Sequence, residues 1–140
     1  MSPFQHAFDR IGSVELDLSQ VQQALDLQRQ QLSGSSLDKV NHARATSERT
    51  YLIRLLVEFE GAITDLGPWL RTPLQFNKSH GLGGKLEAIG KNMGMDKRFR
   101  KQMDDDVHNL RNELAHGGLI PRVSFQDAIE LIRAFLRGCH

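Results

Sequence analysis

The sequence predicts an all-α fold, an up-and-down bundle of five to six helices forming one domain over residues 1–140. Three observations lead there. Apolar residues return at spacings of three and four in nearly every segment, which puts them on one face of a helix with about 3.6 residues per turn. No pair of segments alternates polar and apolar residues as two paired strands would. The segments are separated by mostly short turns rich in Gly, Ser or Pro, and short connections between helices favour antiparallel neighbours.

Taken in order, Phe4, Ala7, Phe8 and Ile11 define a short first helix over Pro3 to Ile11, which Gly12-Ser13 is expected to interrupt. Val14 to Leu32 follows, with Leu18, Val21, Leu25 and Leu32 inward and a glutamine-rich face toward solvent. Ser33-Gly34-Ser35-Ser36 reads as a turn with Ser36 as N-cap. The longest helical signal runs from Leu37 to about Leu70, where Leu52, Leu55, Leu56, Phe59, Ile63, Leu66 and Leu70 form one stripe. Glu58 and Glu60 flank Phe59 and are expected to be solvated or to pair with nearby cations such as Arg54.

Pro68 to Gly84 breaks the period and reads as a loop. Lys85 after glycines does not make a phosphate-binding loop: that motif needs Gly where Ser79 stands, Ser or Thr where Leu86 stands, and a preceding strand. Lys85 to Met93 forms a short helix, with Leu86, Ile89 and Met93 inward and Gly94 ending it. Asp96 caps a further helix reaching His116, whose stripe is Phe99, Met103, Val107, Leu110 and Leu114. Its basic start, Lys97, Arg98, Arg100 and Lys101, is followed by Asp104, Asp105 and Asp106, a solvated face with little to mark it as a phosphate site. Ser124 caps the last helix, with Phe125, Ala128, Ile129, Ile132, Phe135 and Leu136 inward. Leu55, Phe59, Ile63, Leu110, Leu114, Ile129 and Ile132 should share one core.

Composition narrows the function classes. Lys and Arg total 18 against 17 acids, so a net charge of +1 gives no global attraction to nucleic acid or membrane, and any anion site must be local. The lone Cys139 excludes an intramolecular disulfide and fits a reducing compartment. With no apolar run near the roughly 20 residues that span a bilayer, and no apolar block in Met1 to Ile11, the sequence points to the cytoplasm and away from membranes.

The chemistry-bearing stretch is Arg111-Asn112-Glu113-Leu114-Ala115-His116-Gly117-Gly118, an arginine, an amide and an imidazole at a helix end marked by two glycines. A guanidinium fork holds phosphate oxygens in two places, and an imidazole exchanges a proton near neutral pH. On an ideal helix five residues turn through 500°, so Arg111 and His116 point about 140° apart while Asn112 and His116 share a face. A straight helix therefore does not assemble the pair. Arg111 as an ion-pair partner of Glu58 or Glu60, and His116 as a cation at the helix C-terminus, remain open readings. His108, Asn112 and His116 share a face, but no thiol or carboxylate joins them at ligand spacing, so no metal and no cofactor is expected.

Arg111-Asn112, three residues and His116, near the end of a small all-helical chain, resemble the R-x(4-6)-H motif of the HEPN superfamily, and Tyr51 to Glu60 has the character of the family's earlier long helix. The resemblance implies a HEPN-like bundle over most of the chain and a metal-independent endoribonuclease, with Arg111, Asn112 and His116 as site residues. It further implies a homodimer that brings two motifs together, RNA as substrate, and the setting of a toxin–antitoxin or phage-defence pair with a cognate antitoxin as partner. Some toxin members carry a tyrosine two residues after the histidine; Gly118 stands there instead. The alternative is a non-catalytic module that binds nucleotide, RNA or a partner protein through the same groove. The single Trp and single Tyr favour that alternative, since single-stranded RNA is commonly gripped by aromatic stacking.

Overall fold

The computed structural model describes residues 2–76, 80–115 and 123–140. Among them are five α-helices and no strand: α1 (Pro3–Arg29), α2 (Ser35–Leu66), α3 (Leu82–Asn92), α4 (Lys97–Ala115) and α5 (Phe125–Cys139). The all-α bundle expected from the spacing of apolar residues is what forms.

One correction concerns the start. Gly12-Ser13 does not divide the chain, and α1 is continuous for 27 residues. Ser2 Oγ accepts from the Gln5 N–H at 3.1 Å and Pro3 takes the first helical position, so the helix is well started. Ala7, Ile11, Val14 and Leu18 then carry one buried face straight across the glycine. Burying those side chains outweighs the roughly 1 kcal/mol by which a helical glycine lags alanine. The other end differs too: Leu32 lies beyond the helix and is 40% exposed, while Val21 and Leu25 are only half-buried.

The next correction concerns a cap. α2 begins at Ser35, so Ser36 lies inside its first turn, and Gly34 occupies the cap position at φ 63°, a left-handed conformation that glycine adopts without strain. α2 runs antiparallel to α1, as the reversed order of their ion pairs requires: Asp26–Arg44 at 2.5 Å, Asp17–Arg54 at 2.8 Å, then Arg10–Glu58 at 3.0 Å and Arg10–Asp65 at 2.8 Å. The Leu52 to Leu70 stripe is buried throughout. After Leu66 a single turn of 3-10 helix, Gly67–Trp69, carries the same face on to Leu70. Gly67 is required there, because its carbonyl accepts from the Leu74 N–H at 2.8 Å and a β-carbon would fall 2.6 Å from the Leu74 oxygen.

Helix α3 starts at Leu82, three residues ahead of the expected Lys85, because Leu82 is itself a buried position on the Leu86 and Ile89 face. Gly94 ends the segment at φ 65°. Asp96 Oδ1 accepts from the Arg98 N–H at 2.7 Å and starts α4; Ser124 Oγ accepts from the Asp127 N–H at 3.1 Å and starts α5. Both caps stand where the sequence places them. Leu55, Phe59, Ile63, Leu110, Leu114, Ile129 and Ile132 are all buried in one core, and Phe59 meets Phe135 edge-on with ring centroids 5.8 Å apart. Arg133 on α5 fixes that helix to α1 through both oxygens of Glu15, at 2.9 and 3.2 Å. No helix among the described residues is long and apolar enough to cross a membrane.

Candidate functional site

Because Leu110 and Leu114 are buried, the helical period turns Arg111 and Asn112 outward, and both are exposed. Arg111 lies along a groove of about 220 Å³ between α2 and α4, whose walls include Ile53, Val57, Glu60 and Leu114. Ile53 is 45% and Val57 63% exposed, so two aliphatic side chains one helical turn apart lie open beside the guanidinium.

His116 lies outside the described residues, and so do Gly117 and Gly118; the Arg111–His116 geometry is therefore not part of the description. Asn112 has a partner within its own helix: its Nδ2 sits 3.2 Å from His108 Nε2, one turn earlier. The shared face of His108, Asn112 and His116 is thus real at least for its first two members.

Glu58 and Glu60 do not hold Arg111. Glu58 is engaged by Arg10 at 3.0 Å and Glu60 by Lys85 Nζ at 3.2 Å. They do pair with cations, as expected, but Arg54 is not one of them, since α1 lies alongside α2 and offers it Asp17. Among the described residues no carboxylate pairs with Arg111, which leaves its fork available.

Two side chains that support the neighbourhood of the motif lie outside it. Arg49 on α2 donates through Nη2 to the Leu114 carbonyl, in the last turn of α4, and its neighbour Glu48 accepts the Phe125 N–H at the first residue of α5, at 3.1 Å. A cation thus meets the negative end of one helix and a carboxylate the positive end of the next, the arrangement that helix dipoles favour. Together these residues hold both flanks of segment 116–122. Nothing local in the sequence marks them, since Glu48-Arg49 looks like any charged pair on a long helix. The only signal is that a helix C-terminus and the following N-terminus each need a partner.

Lys85, set aside as a phosphate-binding lysine, is a buried cation on α3, only 8% exposed, with Glu60 as its partner. Burial pushes the Cys139 thiol up to about 12, so it stays protonated at neutral pH and supplies no thiolate nucleophile. Cys139 lies at the far end of α5 from Phe125, which is the end beside the last turn of α4, so it does not adjoin Arg111 and Asn112. Comparison with protein-family models, curated protein sequences and solved structures finds no match.

Proposed function

We propose that the protein is a metal-independent endoribonuclease of the HEPN type, acting as a homodimer and serving as the toxin of a toxin–antitoxin or phage-defence pair. The observation that carries this reading is the state of Arg111: exposed, in a groove, and without a carboxylate partner although Glu60 lines the same groove. Glu60 is taken by buried Lys85, so among the described residues the guanidinium has no acid to neutralise it. In this reading Arg111 grips two phosphate oxygens and stabilises charge developing on them, while His116 moves the proton. The ribose 2′-oxygen attacks the adjacent phosphorus, its proton passes to an imidazole, and the 5′-oxygen leaves with a proton. The products are a 2′,3′-cyclic phosphate and a 5′-hydroxyl end. Exposed Ile53 and Val57 beside Arg111 suit burial against a second copy, which would bring two motifs to one cleft around a two-fold axis.

The test is purified protein with cellular RNA in EDTA. His116→Ala should lower the cleavage rate by about 10²-fold or more, the scale of a lost general acid or base, and leave the melting curve unchanged. Arg111→Lys should be impaired because an ammonium keeps the charge without the fork. Asn112→Ala should show a smaller defect, its amide being bonded to His108. Light scattering should give a dimer at high micromolar concentration. One observation favours the binding-module alternative: among the described residues no aromatic side chain lines the Arg111 groove, so none of them offers bases a surface to stack on. If wild type and His116→Ala are equally inert on several RNA classes, the nuclease reading falls and the binding module replaces it.

A further inference from the structure

The opposite end of α4 carries a different kind of feature. Between α3, α4 and α5 lies a cavity of about 340 Å³, within the range of small-molecule sites. Its floor is apolar: Leu86, Met103 and Phe135 are each 3% exposed or less. Its rim is cationic, with Lys91, Lys97, Arg100 and Lys101 set against the carboxylates of Glu87 and Asp104. Glu87 is engaged by Lys91 at 3.0 Å, which leaves Lys97, Arg100 and Lys101 facing a single acid. These three lie at i, i+3 and i+4, one face of α4. The helix N-terminus is not the attraction, because the Asp96 carboxylate already caps it.

Arg100 is built into this rim. Its stem packs on Gly90 of α3, where a β-carbon would fall 2.7 Å from Arg100 Cδ and 2.9 Å from Cγ, so only glycine accepts the stem in this position. Its Nε is buried without a hydrogen-bond partner among the described residues. A buried orphan donor is costly, and a long flexible arginine free to extend into water has no reason to bear it unless its position is of use. An apolar floor with a fixed guanidinium at its edge matches a molecule that is apolar at one end and anionic at the other.

We propose that this cavity binds a small amphipathic anion, a carboxylate or phosphate monoester carried on an apolar body, with the anionic group at Arg100, Lys97 and Lys101 and the body over Leu86, Met103 and Phe135. The site is independent of the Arg111 groove and of the nuclease reading. Decanoate and octyl phosphate, each well below micelle formation, are the probes, with titration calorimetry on the whole chain as the measurement. Both should bind one per chain with Kd on the order of 10–100 micromolar, the range for about a dozen non-hydrogen atoms. Decan-1-ol, which has the body without the charge, and inorganic phosphate, which has the charge without the body, should each bind at least about tenfold more weakly. Arg100→Gln should weaken decanoate about tenfold or more, and so should Gly90→Ala, which displaces the Arg100 stem while leaving every charge in place. If Arg100→Gln does not fold, Lys97→Gln with Lys101→Gln tests the same rim through exposed side chains. Vesicles of anionic phospholipid separate the two sources of such an anion: binding to free decanoate but not to vesicles assigns a soluble ligand, and binding to vesicles that Arg100→Gln abolishes assigns a lipid headgroup. Decan-1-ol binding as tightly as decanoate, the variants binding like wild type, or neither probe binding at millimolar concentration each overturns the proposal.

Discussion

The two ends of α4 are both marked by cations, and they are constructed in opposite ways. At the start, Arg100 is held against Gly90 over a buried apolar floor, and the charge has a fixed place. At the finish, Arg111 projects from the surface into a shallow groove with exposed aliphatic neighbours, and what is held in place is the backbone behind it, by Arg49. The first arrangement is complete within one chain. The second leaves an exposed guanidinium that no described carboxylate pairs with, over a backbone already held by Arg49, and on the proposed function that is where a second copy and RNA would meet it. The residue pattern at the finish drew attention to chemistry, whereas the cavity at the start depends on three helices meeting and has no motif.

The largest expected effect tests whether the ends share a foundation. Phe59 sits in the common core and touches Phe135, which also floors the basic cavity. Phe59→Ala should cost about 3–5 kcal/mol by denaturant unfolding, combining lost transfer energy with a cavity, and decanoate affinity should drop with it. A cost below about 1 kcal/mol would mean that α2 does not anchor the bundle, and the contrast between the ends would lose its common reference.

Most of the fold was legible because burial here follows the helical period closely. The α2 and α5 stripes are buried residue for residue, the α4 stripe is buried from Met103 to Leu114 with Phe99 half-buried at its start, and Asp96 and Ser124 cap where their side-chain chemistry says they should. The misreadings share a cause. Gly12-Ser13 resembles a helix stop, yet a lone glycine between Ile11 and Val14 is a local penalty of about 1 kcal/mol against the burial of both those side chains. Leu32 looked inward because it is apolar, but α3 and α5 do not reach the α1–α2 turn to cover it; apart from Val40, buried positions on α2 begin only at Leu52. Ser36 lost the cap to Gly34 because the turn needed a left-handed residue first. At the candidate site, Arg111 and Asn112 could be found from the sequence, and Arg49, Glu48 and Gly90 could not. Each of those acts on a residue ten or more positions away, and only the packing reveals which one.

A smaller effect should separate the ends directly. Arg49→Met keeps an apolar stem under α4 and removes the donor to Leu114, so it should destabilise by about 1–3 kcal/mol, the scale of a charge-assisted hydrogen bond. Hydrogen exchange should speed up in the last turn of α4 and, on the proposed nuclease function, RNA cleavage should fall with it, while decanoate affinity should stay at the wild-type value. Arg49→Lys should recover part of the exchange protection. Equal disturbance of both ends would show that Arg49 supports the bundle at large and not the motif.

The smallest effect concerns Glu48, and it asks whether charge or only a hydrogen-bond acceptor is needed at the start of α5. Glu48 Oε1 accepts the Phe125 N–H, one of the orphan donors of that helix, while Ser124 Oγ already takes the Asp127 N–H. Glu48→Gln keeps an acceptor oxygen at the same reach and removes the negative charge facing the helix dipole. Its cost should be about 0.3–1 kcal/mol at low ionic strength and should shrink as salt is added, because a half-buried charge at a helix end is partly screened. Glu48→Ala, which removes the acceptor as well, should cost roughly 1 kcal/mol more and keep most of that cost in high salt. The salt dependence is the deciding quantity. If Glu48→Ala costs no more than Glu48→Gln and both costs vanish in high salt, Glu48 acts through charge alone, and the hydrogen bond to Phe125 adds nothing to the start of α5. If neither responds, the acceptor does the holding, and among these partners only Arg49 places a charge against a helix end beside the motif.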